Sequence, residues 1–199
     1  MSKNLLLLFT RHPELGKCKT RLAQKIGDQK ALEVYSYLLQ HTANVTKNIN
    51  AEKQVWYATQ PLENDIWNPR YYTKKAQQGE NLGARMAYAF AEGFQKGYNK
   101  ILILGSDLID LNAARVEDAF TKLDETDFVL GPAEDGGYYL LGMKSFRKEI
   151  FENKNWSTPS VFNDTLSSMG DKSVTLLETL NDIDEYEDMQ KHPTLMNLL

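Results

Sequence analysis

ILILGSDLIDL at 101–111 and VLGPAEDGGYYLLG at 129–142 decide how this chain is read. Each opens as a short continuous apolar run, the pattern of a strand covered on both faces. Each then breaks into a polar, acid-bearing turn, at Gly105-Ser106-Asp107 and at Ala133–Gly137. The second half resumes as a strand beyond Gly136-Gly137, a pair that permits positive φ or close backbone approach to a ligand. This reading brings Asp107 and the Glu134-Asp135 pair to one end of a sheet. The other segments then build a nucleotide and substrate site around them.

Working outward, Asn4–Phe9 is another buried-strand run, and QVWYA at 54–58 reads as a second strand. Arg70–Ala76 fits a short strand of mixed exposure, and Pro61–Pro69 a loop or short helix over a packed Trp67. The stripe Ala31, Val34, Tyr35, Leu38, Thr42 and Val45 recurs at three- and four-residue steps, so a helix from Asp28 (as N-cap) to about 48 lays one face on the sheet. QQGENLGARMAYAF at 77–90 predicts a glycine-bracketed turn feeding a helix that buries Leu82, Met86, Ala89, Phe90 and Phe94. Asn112 or the residue before it caps a further helix through about Leu123. A helix is expected from near Pro159 with Ser157 or Thr158 as its cap, then a strand at Val174–Leu177 and a short helix in DIDEYEDM at 182–189. Alternating strands and helices predict an α/β three-layer sandwich, mostly parallel, with an antiparallel element among the short strands on either side of the EDGG turn and near the C-terminus. The 199 residues suit one domain, 1–199.

Composition excludes several classes. A net charge of −4 argues against non-specific nucleic-acid binding. The single cysteine, Cys18, rules out an intramolecular disulfide and a cysteine zinc cluster, and fits a reduced, cytoplasmic setting. No apolar run approaches the ~20 residues a membrane helix needs. Trp67, Tyr71 and Tyr72 offer an acceptor groove, a homodimer contact, or simply packing, the commonest use.

The chemistry lies in charge placed at strand ends. Loop 11–22, RHPELGKCKTRL, follows the first strand and carries Arg11, Lys17, Lys19 and Arg21 against Glu14; Pro13 and Gly16 keep it from being helical. Ligands of open α/β sheets bind outside the carboxyl ends of strands, and such cations can grip a diphosphate. The same cluster is equally compatible with a solvated surface loop. Carboxylates gathered at one sheet edge suit Mg²⁺ or Mn²⁺, which shares its oxygen ligands between protein and phosphates. A remaining carboxylate can accept the proton of an acceptor hydroxyl; Asp135 is the preferred base, with Glu134 as helper or structural acid. Asp110 and Asp182 read as caps or surface acids.

FTRHPELGKCKTRL, QGENLGARM, GSDLIDL, GPAEDGGYYLLG, NWSTPSVF and DIDEYEDM occur in this order between about Leu5 and Met189. Together they resemble the bacterial radical-SAM/selenodomain-associated, or arsenosugar-biosynthesis-type, glycosyltransferases of the nucleotide-diphospho-sugar transferase superfamily, with a GT-A fold. The resemblance implies a nucleotide loop at Arg11, Lys19 and Arg21, and a base and ribose turn at Gln78, Gly79, Gly83 and Arg85. It implies metal binding at Asp107 and a second metal-facing acid at Asp184. The chain departs from the pattern at Leu108-Ile109 and Glu185-Tyr186, where the family carries Cys-Pro and Thr-Pro, and it lacks an Asp-x-Asp at Asp107. Transfer of a sugar from a nucleotide diphosphate to a small acceptor is the leading expectation. Nucleotidyl transfer with pyrophosphate release, or nucleotide binding without turnover, are the alternatives.

Overall fold

The structure, a computed structural model, describes residues 3–199. Its centre is β1 (Asn4–Thr10), whose leucines are fully buried because both faces of the strand are covered. Side chains alternate along a strand. Leu6 and Leu8 therefore enter one core and Leu5 and Leu7 the opposite one. The first core is closed by α2 (Asp28–Thr46) and α4 (Ala113–Glu125). The second is closed by α3 (Leu82–Gln95) with Phe151 and Met169. Helices on both faces of one sheet make the expected three-layer sandwich.

Parallel to β1 lie β2 (Glu52–Tyr57) and β4 (Lys100–Leu104), and β3 (Thr73–Ala76) extends the sheet beyond β2. On the other side, β6 (Tyr138–Met143) runs antiparallel between β4 and β5 (Phe128–Pro132), and β7 (Val174–Leu176) pairs parallel with β5. The seven-stranded order is β3-β2-β1-β4-β6-β5-β7. The antiparallel element is thus β6, and its direction matters for the site. It starts where β4 and β5 end, so the 133–137 turn and the residues after β4 share one sheet edge. The chain after β7 returns to this edge too: Leu180 bridges Ala133 and accepts a hydrogen bond from Glu134 N–H.

Several local expectations shift. The basic loop ends at Lys19, because α1 (Thr20–Ile26) already takes Thr20–Leu22 into a helix. Leu22 then joins α2, α6 (Tyr186–Gln190) and α7 (Pro193–Met196) in a third apolar cluster with Ile183 and Leu195. Gly27, not Asp28, is the N-cap of α2; Asp28 sits in the first turn, where a carboxylate is favoured by the helix dipole. Asn112 caps α4 as expected, accepting from Arg115 N–H at 3.0 Å. Neither Ser157 nor Thr158 caps α5 (Val161–Ser168), which begins after Ser160. Leu82, expected inside, is 43% exposed. Trp67 and Tyr72 are packed edge to face, with the Tyr72 hydroxyl donating to Ala43 O at 2.7 Å. Among the described residues no helix is long and apolar enough to cross a membrane.

Phe90 is fully buried and its ring lies 5.7 Å from that of Phe151. Phe90→Ala is expected to lower stability by about 3–5 kcal/mol, the cost of a lost aromatic plus its cavity, read as a reduced urea midpoint at unchanged m-value.

Candidate active site

The carboxyl edge of the sheet opens into a two-lobed cleft. One lobe, of about 530 Å³, is walled by the loop after β1, the turn before α3 and the Gly105–Asp107 loop. The other, of about 460 Å³, lies between the first turns of α3, the 133–137 turn and residues 156–161. Arg11, Leu82, Gly105, Asp107, Ser157 and Asp184 line both, so the lobes meet over Asp107 and Asp184.

Lys19 stands at this junction. Its backbone is left-handed, with φ 47°, and its side chain is only 6% exposed. The ammonium donates to Asp107 Oδ2 at 2.8 Å and lies 3.9 Å from Asp184 Oδ1. Burial alone pulls its pKa down, but Asp107, followed by Asp184 and Asp182, outweighs that and raises it. The buried lysine is therefore firmly charged. Arg21 Nη1 approaches Asp184 from outside, at 3.0 Å from Oδ2. Asp188 holds the loop that carries Asp184 by accepting from the backbone N–H of Asp184 at 3.2 Å and of Glu185 at 2.9 Å, and from Asn181 Nδ2 at 2.7 Å.

Asp182, expected to be a cap or surface acid, belongs to the cluster. Burial, then the charges of Asp107 and Asp135, push its carboxyl up to about 6, against the partial relief of Lys19. The pattern that could have revealed it is Asp182-Ile183-Asp184. Ile183 is fully buried, and alternate residues of an extended segment share a face, so the two acids point together. Asp135 lines the second lobe, and its Oδ1 accepts from Gly137 N–H at 2.8 Å. This short turn fixes the carboxylate beside the cavity. Glu134 is not brought to the cleft: its carboxylate is exposed and pairs with Lys191 at 3.1 Å.

The expected base and ribose turn divides similarly. Arg85 lines the first lobe; its Nε donates to Gly79 O at 3.0 Å. Gln78 is exposed and outside the cleft, whereas Gln77 lines it and donates to Trp56 O at 2.9 Å. In an extended segment one residue of register exchanges the faces. Gly79 serves the turn itself: at φ 136°, a Cβ would fall 2.8 Å from the backbone of Ala84 and Arg85. Gly83 and Gly136 are seats for another segment. A Cβ at Gly83 would lie 2.4 Å from three adjacent atoms of the Trp156 indole, and one at Gly136, where φ is 86°, 2.4 Å from Pro159 O. Trp156 and Ser157, which sequence reasoning did not assign to the site, line it for this reason.

Asp107 and Asp184 converge on one cation position, and the Lys19 ammonium fills it; their carboxylate oxygens are also the donor type that hard divalent cations prefer. Among the described residues no group of three or more His, Cys, Asp or Glu is set to hold a metal by itself.

The fold is that of the nucleotide-diphospho-sugar transferases and the related nucleotidyltransferases. Residues 41–158 match the family described as uncharacterized proteins conserved in bacteria (DUF2064), and the chain belongs to that family. It is similar, at 33% identity and a TM-score of 0.86, to a candidate nucleotide-diphospho-sugar transferase from Desulfovibrio desulfuricans; the match covers 93% of this chain and 84% of that one. It shares the fold, at 12% identity and a TM-score of 0.57, with a CMP:2-keto-3-deoxy-manno-octonic acid synthetase complexed with CTP, over 98% of this chain and 99% of the other. A manganese complex of Rv0371c from Mycobacterium tuberculosis, also 12% identical, aligns with a TM-score of 0.56 over 96% and 97% of the two chains. No curated protein matches the chain.

Asp182 gives the cluster a signed pH dependence. Its folded pKa is raised, so its contribution to stability is fully present below the unfolded carboxyl range and is lost as pH rises through about 6. Asp182→Asn should therefore melt higher than the wild type at about pH 7 and show no such advantage near pH 4, measured by calorimetry without added metal.

Proposed function

We propose that this protein is a nucleotide-diphospho-sugar-dependent glycosyltransferase, with the first lobe taking the nucleotide and the second the transferred sugar and its acceptor. The observation that carries this reading is the convergence of Asp107, Asp135, Asp182 and Asp184 with Lys19 where the two lobes meet. A diphosphate bridging the lobes would place its charge against Lys19, Arg11 and Arg21, and cations aimed at a departing phosphate stabilise the charge it gains. A divalent cation held by Asp107 and Asp184 would add Lewis-acid neutralisation of the same diphosphate. Asp135, fixed by its bond from Gly137 N–H, accepts the proton of the acceptor hydroxyl. The acceptor oxygen then bonds to the anomeric carbon as the carbon–oxygen bond to the diphosphate breaks, and the nucleoside diphosphate leaves with that electron pair. Within this class, the order of motifs favours the radical-SAM/selenodomain-associated, arsenosugar-type branch.

The reading is tested by its products. Purified protein incubated with nucleotide sugars and Mg²⁺ or Mn²⁺ should release nucleoside diphosphate. Pyrophosphate release from a nucleoside triphosphate would replace the glycosyltransferase reading with nucleotidyl transfer, the activity of the fold's synthetase members. Asp107→Ala is expected to weaken metal-dependent nucleotide binding at least about tenfold in calorimetric titrations; unchanged affinity removes Asp107 from the metal site. Asp135→Asn is expected to lower kcat about 10²- to 10⁴-fold with little change in donor KM, the signature of a lost general base.

A further inference from the structure

Residues 153–160 form a strap whose Trp156–Pro159 stretch lines the second lobe, and its backbone is unusual. Asn153 (φ 53°) and Ser157 (φ 64°) are both left-handed without being glycine. Such residues are strained and persist only where their surroundings hold them. Here the surroundings are the two glycine seats. The Trp156 indole lies over Gly83 in the first turn of α3, and Pro159 lies over Gly136 in the acid turn. The second seat is tied by Phe162 N–H donating to Gly136 O at 3.0 Å. The strap therefore spans from the nucleotide-side wall to the wall that carries Asp135.

The strap gives the lobe a two-sided chemistry. Trp156, Leu82, Met86 and Val161 provide apolar surface, while Asp135 and Asp182 provide carboxylates. Leu82 is 43% exposed in this cleft, where open solvent alone would favour a polar residue at the start of a helix. A flat ligand with a C–H face and a hydroxyl-bearing edge satisfies both sides. Aromatic faces bury apolar area and attract weakly positive C–H groups through their quadrupole.

We infer that Trp156 is a specificity-determining residue of the second lobe, and that the lobe takes a saturated, polyhydroxylated ring stacked against this apolar wall. The inference rests on the glycosyltransferase reading in placing the ring next to a diphosphate. The ring is carried either by the nucleotide donor or by a free acceptor. Trp156 is also a built-in reporter: Trp56 and Trp67 are buried, at 1% and 2% exposure, whereas Trp156 is half-buried and lines the cavity.

Acrylamide quenching of tryptophan fluorescence tests it. The probes are UDP and GDP, their glucose and mannose conjugates, methyl β-D-glucopyranoside, and acyclic sorbitol as control, all with Mn²⁺. Protection by the conjugates beyond that of the diphosphates assigns the ring to the donor. Protection by the free glycoside, but not by sorbitol, assigns it to the acceptor. Trp156→Phe should remove the quenchable component while keeping the sugar-dependent gain in affinity. Trp156→Ala should reduce that gain about tenfold and leave affinity for the diphosphate within about twofold. Gly83→Ala, which displaces the indole without removing it, should act like Trp156→Ala. Sugar-bearing probes that bind yet leave quenching unchanged, or a Trp156→Ala loss shared equally by diphosphate and conjugate, would overturn the assignment. If no nucleotide probe shifts the melting temperature, the nucleotide-donor reading fails; the glycoside and sorbitol arms still decide the role of Trp156.

Discussion

The ammonium of Lys19 among the carboxylates is the contact on which the site depends. A buried unpaired cation is costly, by several kcal/mol, so Lys19 is tolerated inside only because Asp107 sits 2.8 Å away and Asp184 3.9 Å away. The pairing helps to tie together three loops, the one after β1, the one after β4 and the one beyond β7, the last two also joined by Ile183 N–H donating to Asp107 O at 3.2 Å. It also holds Lys19 in a left-handed conformation at the start of α1. Burial, and then the negative charge of Asp107 and Asp135, still push the Asp182 carboxyl up. The cleft thus has an internal cation and an unmet demand for more positive charge, a combination suited to a ligand that arrives with a metal ion.

The framework was legible because its signals are local. Apolar runs at 5–9, 101–104 and 128–130 read as strands buried on both faces, and the polar residues that follow them are placed at one sheet edge. Asp107, Asp135, Lys19 and Arg21, picked out in this way, all line the cleft. What escaped depends on register or on distant partners. The resemblance points to Gln78 where Gln77 lines the cleft, and the EDGG turn to Glu134 beside Asp135 where only Asp135 lines it, because which of two neighbouring side chains faces a cavity is not fixed by sequence alone. Asp182 reads as a surface acid in sequence because the charges that act on it, Asp107 and Asp135, lie far from it in the chain.

The glycines carry the sharpest version of this lesson. A glycine in a loop announces that no side chain is wanted, without saying what fills the space. At Gly83 and Gly136 a bound ligand was expected; the occupants are Trp156 and Pro159. Gly83 is matched to a residue 73 positions later, beyond the reach of any local pattern. By contrast, the Gly137 N–H donates to Asp135 two residues away, and this turn chemistry was readable from the EDGG sequence.

The sequence separations within the cleft set the order in which the protein can become competent. Lys19 meets a partner 88 residues away, and Arg21 one 163 residues away. Even β1 finds its neighbour β4 only across most of the first hundred residues. Non-local parallel pairings form slowly, since the loop must close before its contacts contribute. During synthesis Lys19 stays hydrated until β4 has emerged, and Asp182 and Asp184 dock only after the last strand. The sheet can therefore be nearly complete in a nascent chain that still has no working cleft, so competence for ligand arrives as the final event of folding.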